Sequence, residues 1–246
     1  AYATGDEGCT DLDCLLCPAL KDPDNYLQGN MKLMDQLTPG TDRWLFRSEV
    51  DLTNTFGMPR AMTAEYARLI DALAAKGIQL GMILQPTRGL MHRGKVRQDW
   101  NQGFDFERSR NSFAVYLEQL RAAGALVPDM VQLVDRPPEE EYFFRRDHHW
   151  TSDGARATAR VVADYLREQP IYPQLTKKAY RTEPGLTQHK DGTLNLALHS
   201  LCGNDYGVQY VPGYRTVPAV NDVSALFDEQ PEPEVILLGT SNSAAR

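Results

Sequence analysis

Apolar positions recur at helical spacing in three stretches of the chain, and short apolar runs beside them read as strands. From Thr63 to Lys76, Tyr66, Leu69, Ile70 and Leu73 fall on one helical face, with Thr63 placed to cap the start and Gly77 to stop the helix. The run Ile78–Leu84 follows at once and ends in Gln85-Pro86-Thr87-Arg88-Gly89, the outline of a buried strand leading into a loop. A second helix is expected over Asp105–Ala123, burying Phe106, Phe113, Leu117 and Leu120 and ending at Gly124, with a short strand at Leu126-Val127. A third starts at Ser152 or Asp153, buries Ala155, Ala159, Val162 and Leu166, and ends before Pro170. Trp44-Leu45-Phe46 and Val235-Ile236-Leu237-Leu238 complete the strands, while residues 170–230 show no strong period. Helices alternating with buried strands predict a three-layer α/β fold. Residues 1–30, rich in Asp, Gly, Pro and Cys, read as an irregular arm preceding a domain over 31–246.

Composition is that of an ordinary globular chain of 246 residues. The net charge of −7 and the absence of any Lys/Arg stripe argue against nucleic acid as a partner. No apolar run approaches the ~18 residues of a membrane span, and no signal peptide is present, as in a processed secreted protein or a cytosolic one. Cys9, Cys14, Cys17 and Cys202 suit either a zinc site or two disulfides. Disulfides are the better reading, because Cys202 lacks a second ligand pair beside it. Three connectivities are open, and a bridge from the N-terminal group to Cys202 would tie down the arm.

Three loops, 85–89, 147–151 and 239–243, are expected at the carboxyl ends of strands, where open α/β sheets collect their chemistry. Gly239-Thr240-Ser241-Asn242-Ser243 follows a buried run, so a tight turn would present Ser241 with backbone amides beside it to hold an oxyanion. Alone, this stretch is better read as an ordinary polar turn. In Asp147-His148-His149-Trp150, Asp147 can fix the tautomer of His149 while the other ring nitrogen serves as base, and Trp150 would wall the site. Competing readings are a metal site at Asp147, His148 and His149, for which no second ligand cluster exists, and a capped turn with surface histidines. His148 suits a surface or structural role.

Arg146-Asp-His-His-Trp-Thr151, Gln85-Pro-Thr-Arg-Gly-Leu90, Leu201-Cys-Gly-Asn204 with Gln209-Tyr-Val211, and Gly239-Thr-Ser-Asn-Ser243 together resemble the AlgX/AlgJ family of alginate O-acetyltransferases, from about Cys17 onward. The resemblance implies an SGNH-hydrolase-like, flavodoxin-like fold with a mostly parallel sheet, circularly permuted so that Asp-x-His precedes the serine. It implies Ser241 as nucleophile, His149 as general base and then acid, and Asp147 as the residue that orients it. By the same resemblance Cys17 pairs with Cys202, leaving Cys9 and Cys14 for a local loop. Further sheet elements and a carbohydrate-binding module are expected beyond Arg246. Arg88, Trp150 and Asn242 are expected to line the acceptor site, Arg88 meeting a polymer carboxylate or forming a structural ion pair.

The function this implies is acetyl transfer to mannuronate hydroxyls of alginate in the periplasm, without metal or cofactor. Expected partners are the polymer, an acetyl donor protein or ester, a lipoprotein scaffold of the secretion apparatus and a periplasmic serine protease. A polysaccharide acetyl esterase uses the same triad with water as acceptor. A non-catalytic polymer-binding adaptor would be indifferent to loss of Ser241.

Overall fold

The computed structural model describes residues 16–219 and 234–239. Cys9, Cys14, Ser241 and Asn242 lie outside these residues.

After three short 3-10 turns between Pro18 and Met34, strands β1 (Leu37–Pro39) and β2 (Leu45–Arg47) pair antiparallel. Helices α1 (Arg60–Ala74), α2 (Arg88–Met91), α3 (Phe106–Ala122), α4 (Val131–Asp135) and α5 (Ser152–Arg167) follow. Next come β3 (Tyr180–Pro184), β4 (Gln188–Lys190), α6 (Thr193–Cys202), β5 (Gln209–Val211) and β6 (Tyr214–Pro218), with β3 paired to β6 and β4 to β5, both antiparallel.

Helix α3 forms as its pattern dictates. Asp105 accepts from the Arg108 amide at the N-cap, and Phe113, Leu117 and Leu120 are buried. Helix α1 starts three residues before the expected Thr63 cap. Gly77, at φ 75°, lets the Ile78 amide reach back to Leu73 O and close the helix end. Of its expected stripe only Ile70 is buried, and Leu69 stays 47% exposed.

The cap of α5 is Thr151, not Ser152 or Asp153, and the buried positions are Asp153, Gly154, Thr158 and Val161 instead of Ala155, Ala159, Val162 and Leu166. Tyr142 causes the rotation. Its carbonyl lies where a Cβ on Gly154 would stand, and its hydroxyl meets Thr158 Oγ1 at 2.5 Å.

The expected strands 78–84 and 126–127 make a single parallel bridge, Gly81 to Leu126, secured by Met82 N to Leu126 O (2.8 Å) and Leu126 N to Leu80 O (2.9 Å). Val235–Leu238 forms no ladder and is exposed.

Two apolar clusters organise the described residues. The larger gathers Trp44, Phe46, Phe113, Leu117, Val127, Met130 and Tyr142. The smaller gathers Leu20, Tyr26, Leu37, Leu45, Leu194 and Leu198, and the Cys17–Cys202 disulfide ties the N-terminal turns to the end of α6 beside it. That is the bridge the resemblance implied.

Candidate active site

Residues 142–151 form a tight loop closed by two backbone bonds, Phe144 N to His149 O (3.1 Å) and Thr151 N to Tyr142 O (2.9 Å). Thr151 finishes it by accepting from the Gly154 amide and donating to Glu141 O at 2.6 Å. Asp147 and His149 sit at the far end. Asp147 Oδ1 lies 2.5 Å from His149 Nδ1 and also accepts from the His149 amide at 3.0 Å. Its Oδ2 accepts from the Thr193 amide at 2.8 Å.

Asp147 is buried, which alone would raise its pKa. The Thr193 amide and the ring and amide of His149 more than offset that, holding it down to about 2. The carboxylate is therefore charged at neutral pH and oriented toward Nδ1, so Nε2 is the basic nitrogen of the His149 ring.

The Thr193 amide reaches Asp147 because Gly192 adopts φ 94°, packed so closely that a Cβ would stand 2.2 Å from Arg146 O. Thr193 also opens α6, so the positive end of that helix faces the carboxylate. Gly192 and Thr193 were invisible as site residues. Their signal, a glycine before a helix start, is common and lies 46 residues from its partner.

His148 is half-buried, not a surface residue. Its Nδ1 lies 2.8 Å from Thr193 Oγ1 and its ring stacks on His149 at 4.0 Å, with burial pushing its pKa down. Ligand atoms of Asp147, His148 and His149 lie within 4.8 Å of one another, close enough to share an ion. Both Asp147 oxygens and the Nδ1 atoms of both histidines are, however, already engaged within the loop and with Thr193. Trp150 is half-buried and packs on the larger cluster, bridged to Phe143.

Arg88 corrects an expectation. It is 1% exposed, and its Nη atoms donate to the carbonyls of Phe144, Asp147, Leu45 and Arg145 at 2.6–2.9 Å. Its Nε lies 3.3 Å from Asp51 Oδ2, an ion pair without hydrogen-bond alignment. Burial lowers its pKa to about 10, leaving it charged. Arg88 is thus an internal staple that shapes the Asp147 loop from behind, with no surface left for a polymer carboxylate. Glu141 is half-buried between Arg145 Nε and Gln209 Nε2. Gln209 in turn accepts from the Arg145 amide, so its motif braces the same loop.

The family described as "SGNH hydrolase-like domain, acetyltransferase AlgX" matches residues 37–246. The chain belongs to this family. The AlgX protein of Pseudomonas aeruginosa, an alginate biosynthesis protein, is 37% identical over 229 residues, 93% of this chain and 48% of its own length. The solved structure of Pseudomonas aeruginosa AlgX superposes with a TM-score of 0.79 at 36% identity, covering 84% of this chain and 50% of that one. A probable alginate O-acetylase, AlgJ of Pseudomonas fluorescens, is 28% identical over 87% of this chain and 56% of its own. The chain thus spans about half the length of the AlgX relatives it matches, and the family match makes its fold α/β and SGNH-hydrolase-like.

Proposed function

We propose that this chain carries the catalytic half of an alginate O-acetyltransferase, with Ser241, His149 and Asp147 as its triad. The observation that carries the reading is the Asp147–His149 pair, a buried carboxylate locked onto Nδ1 of a partly exposed imidazole. The AlgX-family match supplies the acetyl chemistry.

In this reading Val235–Leu238 adds as a parallel strand beside 78–84, whose Ile78 and Ile83 are exposed, in a permuted sheet. Its carboxyl end would then deliver Ser241 to His149. The Ser241 hydroxyl attacks the donor's acetyl carbonyl while its proton passes to His149 Nε2. The oxyanion collapses, the leaving group takes that proton, and acetyl-serine remains. A mannuronate hydroxyl then gives its proton to Nε2 and attacks the acetyl carbon. Ser241 recovers the proton as the sugar ester leaves. Amides of the 239–243 turn hold the oxyanion in both halves, and Trp150 and Asn242 line the acceptor.

The Cys17–Cys202 disulfide suits an oxidising compartment, which supports a periplasmic setting. There the alginate secretion apparatus, with its lipoprotein scaffold and serine protease, supplies the expected partners.

The test is intact mass of the full-length protein and its Ser241→Ala variant after exposure to an activated acetyl ester, with and without mannuronate oligomers. One acetyl group on the unsubstituted protein only, passed to the oligomers, upholds the reading. Free acetate with unmodified oligomers makes the protein an esterase. No adduct and no turnover leaves a polymer-binding adaptor.

A further inference from the structure

The residue immediately before the proposed catalytic aspartate carries a charge that makes no ion pair among the described residues, with Glu141 acting on it only from a distance. Arg146 is 6% exposed, its Nε is buried without a hydrogen-bond partner, and among the described residues it makes no ion pair. Its neighbours add to the charge. Arg145 adjoins it in sequence, and the β1–β2 hairpin, whose Leu45 amide donates to Arg145 O at 3.0 Å, brings Arg43 alongside. Arg43 is exposed, stands at the hairpin tip with φ 62°, and likewise makes no ion pair among the described residues.

Four carboxylates of the surrounding elements are each paired with another cation or ring. Asp42 pairs with Lys95, Glu141 with Arg145, Asp51 with Arg47 and Arg88, and Asp147 with His149. Burying a cation without an anion is costly, and a guanidinium's planar fork is shaped to take a carboxylate by two parallel bonds. Arg88 shows how this fold satisfies an arginine it means to keep internal. Arg146, one residue from the same loop end, is left incomplete.

We infer that Arg146 and Arg43 form an anion subsite that grips a carboxylate of the uronate polymer beside the reacting hydroxyl. The inference rests on the acetyltransferase reading for the identity of the polymer, while the unmatched charge stands without it. It also gives a net-acidic chain a local means of holding an acidic polymer against the repulsion of its overall field. Because the second contact is an exposed arginine, part of the affinity should be screened by salt.

The test is calorimetric titration of the full-length protein with mannuronate oligomers, and with neutral mannose oligomers of the same length, at two salt concentrations. Arg43→Gln is expected to weaken mannuronate binding about 5-fold and Arg146→Gln at least about 10-fold. Arg146→Lys should recover only part of the loss, since an ammonium cannot make the fork. Unaltered mannuronate affinity in both glutamine variants, or equal affinity for neutral oligomers, overturns the subsite. If Arg146 variants do not fold, Arg43→Gln decides alone. Acetylation of Ser241 is scored separately in the unsubstituted protein. Its failure alongside charge-dependent binding sinks the transferase and leaves the subsite, whereas normal acetylation with charge-indifferent binding does the reverse.

Discussion

The two flanks of this chain are finished to different degrees. Around Arg88, five backbone or carboxylate oxygens from β2, the Asp147 loop and Asp51 converge on one guanidinium, roofed by Trp44, Phe46 and Phe143. Around α1 and 78–84, apolar side chains such as Leu69, Ile78 and Ile83 remain 40–49% exposed, and the run 235–238 is more exposed still, at 63–86%. The Asp147–His149 pair, proposed as catalytic, hangs on the first flank. Its geometry is therefore held by polar contacts local to one hub and does not depend on completing the sheet. The second flank holds the surface on which the nucleophile's strand is proposed to pack. An Asp–His pair can be preorganised before the serine arrives.

The sharpest way to break this contrast is Arg88→Met. It removes a buried charge, takes one of two cationic partners from Asp51 and the guanidinium donor from four carbonyls, so unfolding in guanidinium should show a loss of about 5 kcal/mol, or no folded protein. Arg88→Lys should rescue little, because one ammonium cannot reach all those acceptors. A loss below ~1 kcal/mol would mean that the hub is not what holds the loop.

Cutting the disulfide comes next. Cys17 and Cys202 are 185 residues apart, so their bridge closes most of the chain into one loop. The Cys17→Ser, Cys202→Ser double variant should lose about 2–4 kcal/mol. Reductant should have at least that effect on the unsubstituted protein and a much smaller one on the variant, where only the expected local Cys9–Cys14 loop is left to cut. The loss should appear first as exchange of amides in the N-terminal turns packed on α6.

What the sequence disclosed follows the same division between local and distant causes. Helix α3 was legible because its cap, stripe and stop lie within twenty consecutive residues. Asp147 and His149 were legible because the pair is made inside one loop. Arg88 stood open between a polymer contact and a structural ion pair because most of its partners are backbone carbonyls, which leave no mark in a sequence. The strands of 180–218 were missed for a related reason. Tyr180 pairs with Pro218 across a long excursion, and β3 is mostly exposed, so no alternation announces it. Thr158 displaced Ala155 and Ala159 from the inner face of α5 because the Tyr142 hydroxyl needed a partner, a tertiary requirement overriding a periodic one.

A smaller effect separates the flanks by pH. His92 stacks on Trp44 at 4.1 Å and accepts from the Phe143 amide at 3.2 Å. Burial, then the charges of Arg88, Lys95 and Arg145, push its pKa down from 6.5 to about 3. The folded state thus keeps His92 neutral where the unfolded chain takes up a proton. Stability is full above the unfolded value and falls as pH drops from about 6.5 toward 3, with a limiting slope of about 1.4 kcal/mol per pH unit. Asp147, depressed to about 2, adds its own loss only below about 4. His92→Gln retains an acceptor for the Phe143 amide and should flatten the upper part of the acid-unfolding curve. An unchanged curve would place the sensitivity elsewhere.

The smallest expected effect bears most directly on the open flank. Leu117 in α3 is fully buried, whereas Leu69 in α1 is 47% exposed. Leu117→Ala should cost about 3 kcal/mol, and Leu69→Ala in a protein ending at Arg246 no more than about 1 kcal/mol. The same Leu69→Ala exchange in full-length protein then measures what covers α1. If its cost stays below ~1 kcal/mol, the helix is an outer surface and the sheet is completed without it. If the cost climbs toward that of Leu117→Ala, further chain packs onto α1 and 78–84. That is the arrangement in which 235–238 can lie as a buried strand and carry Ser241 to His149.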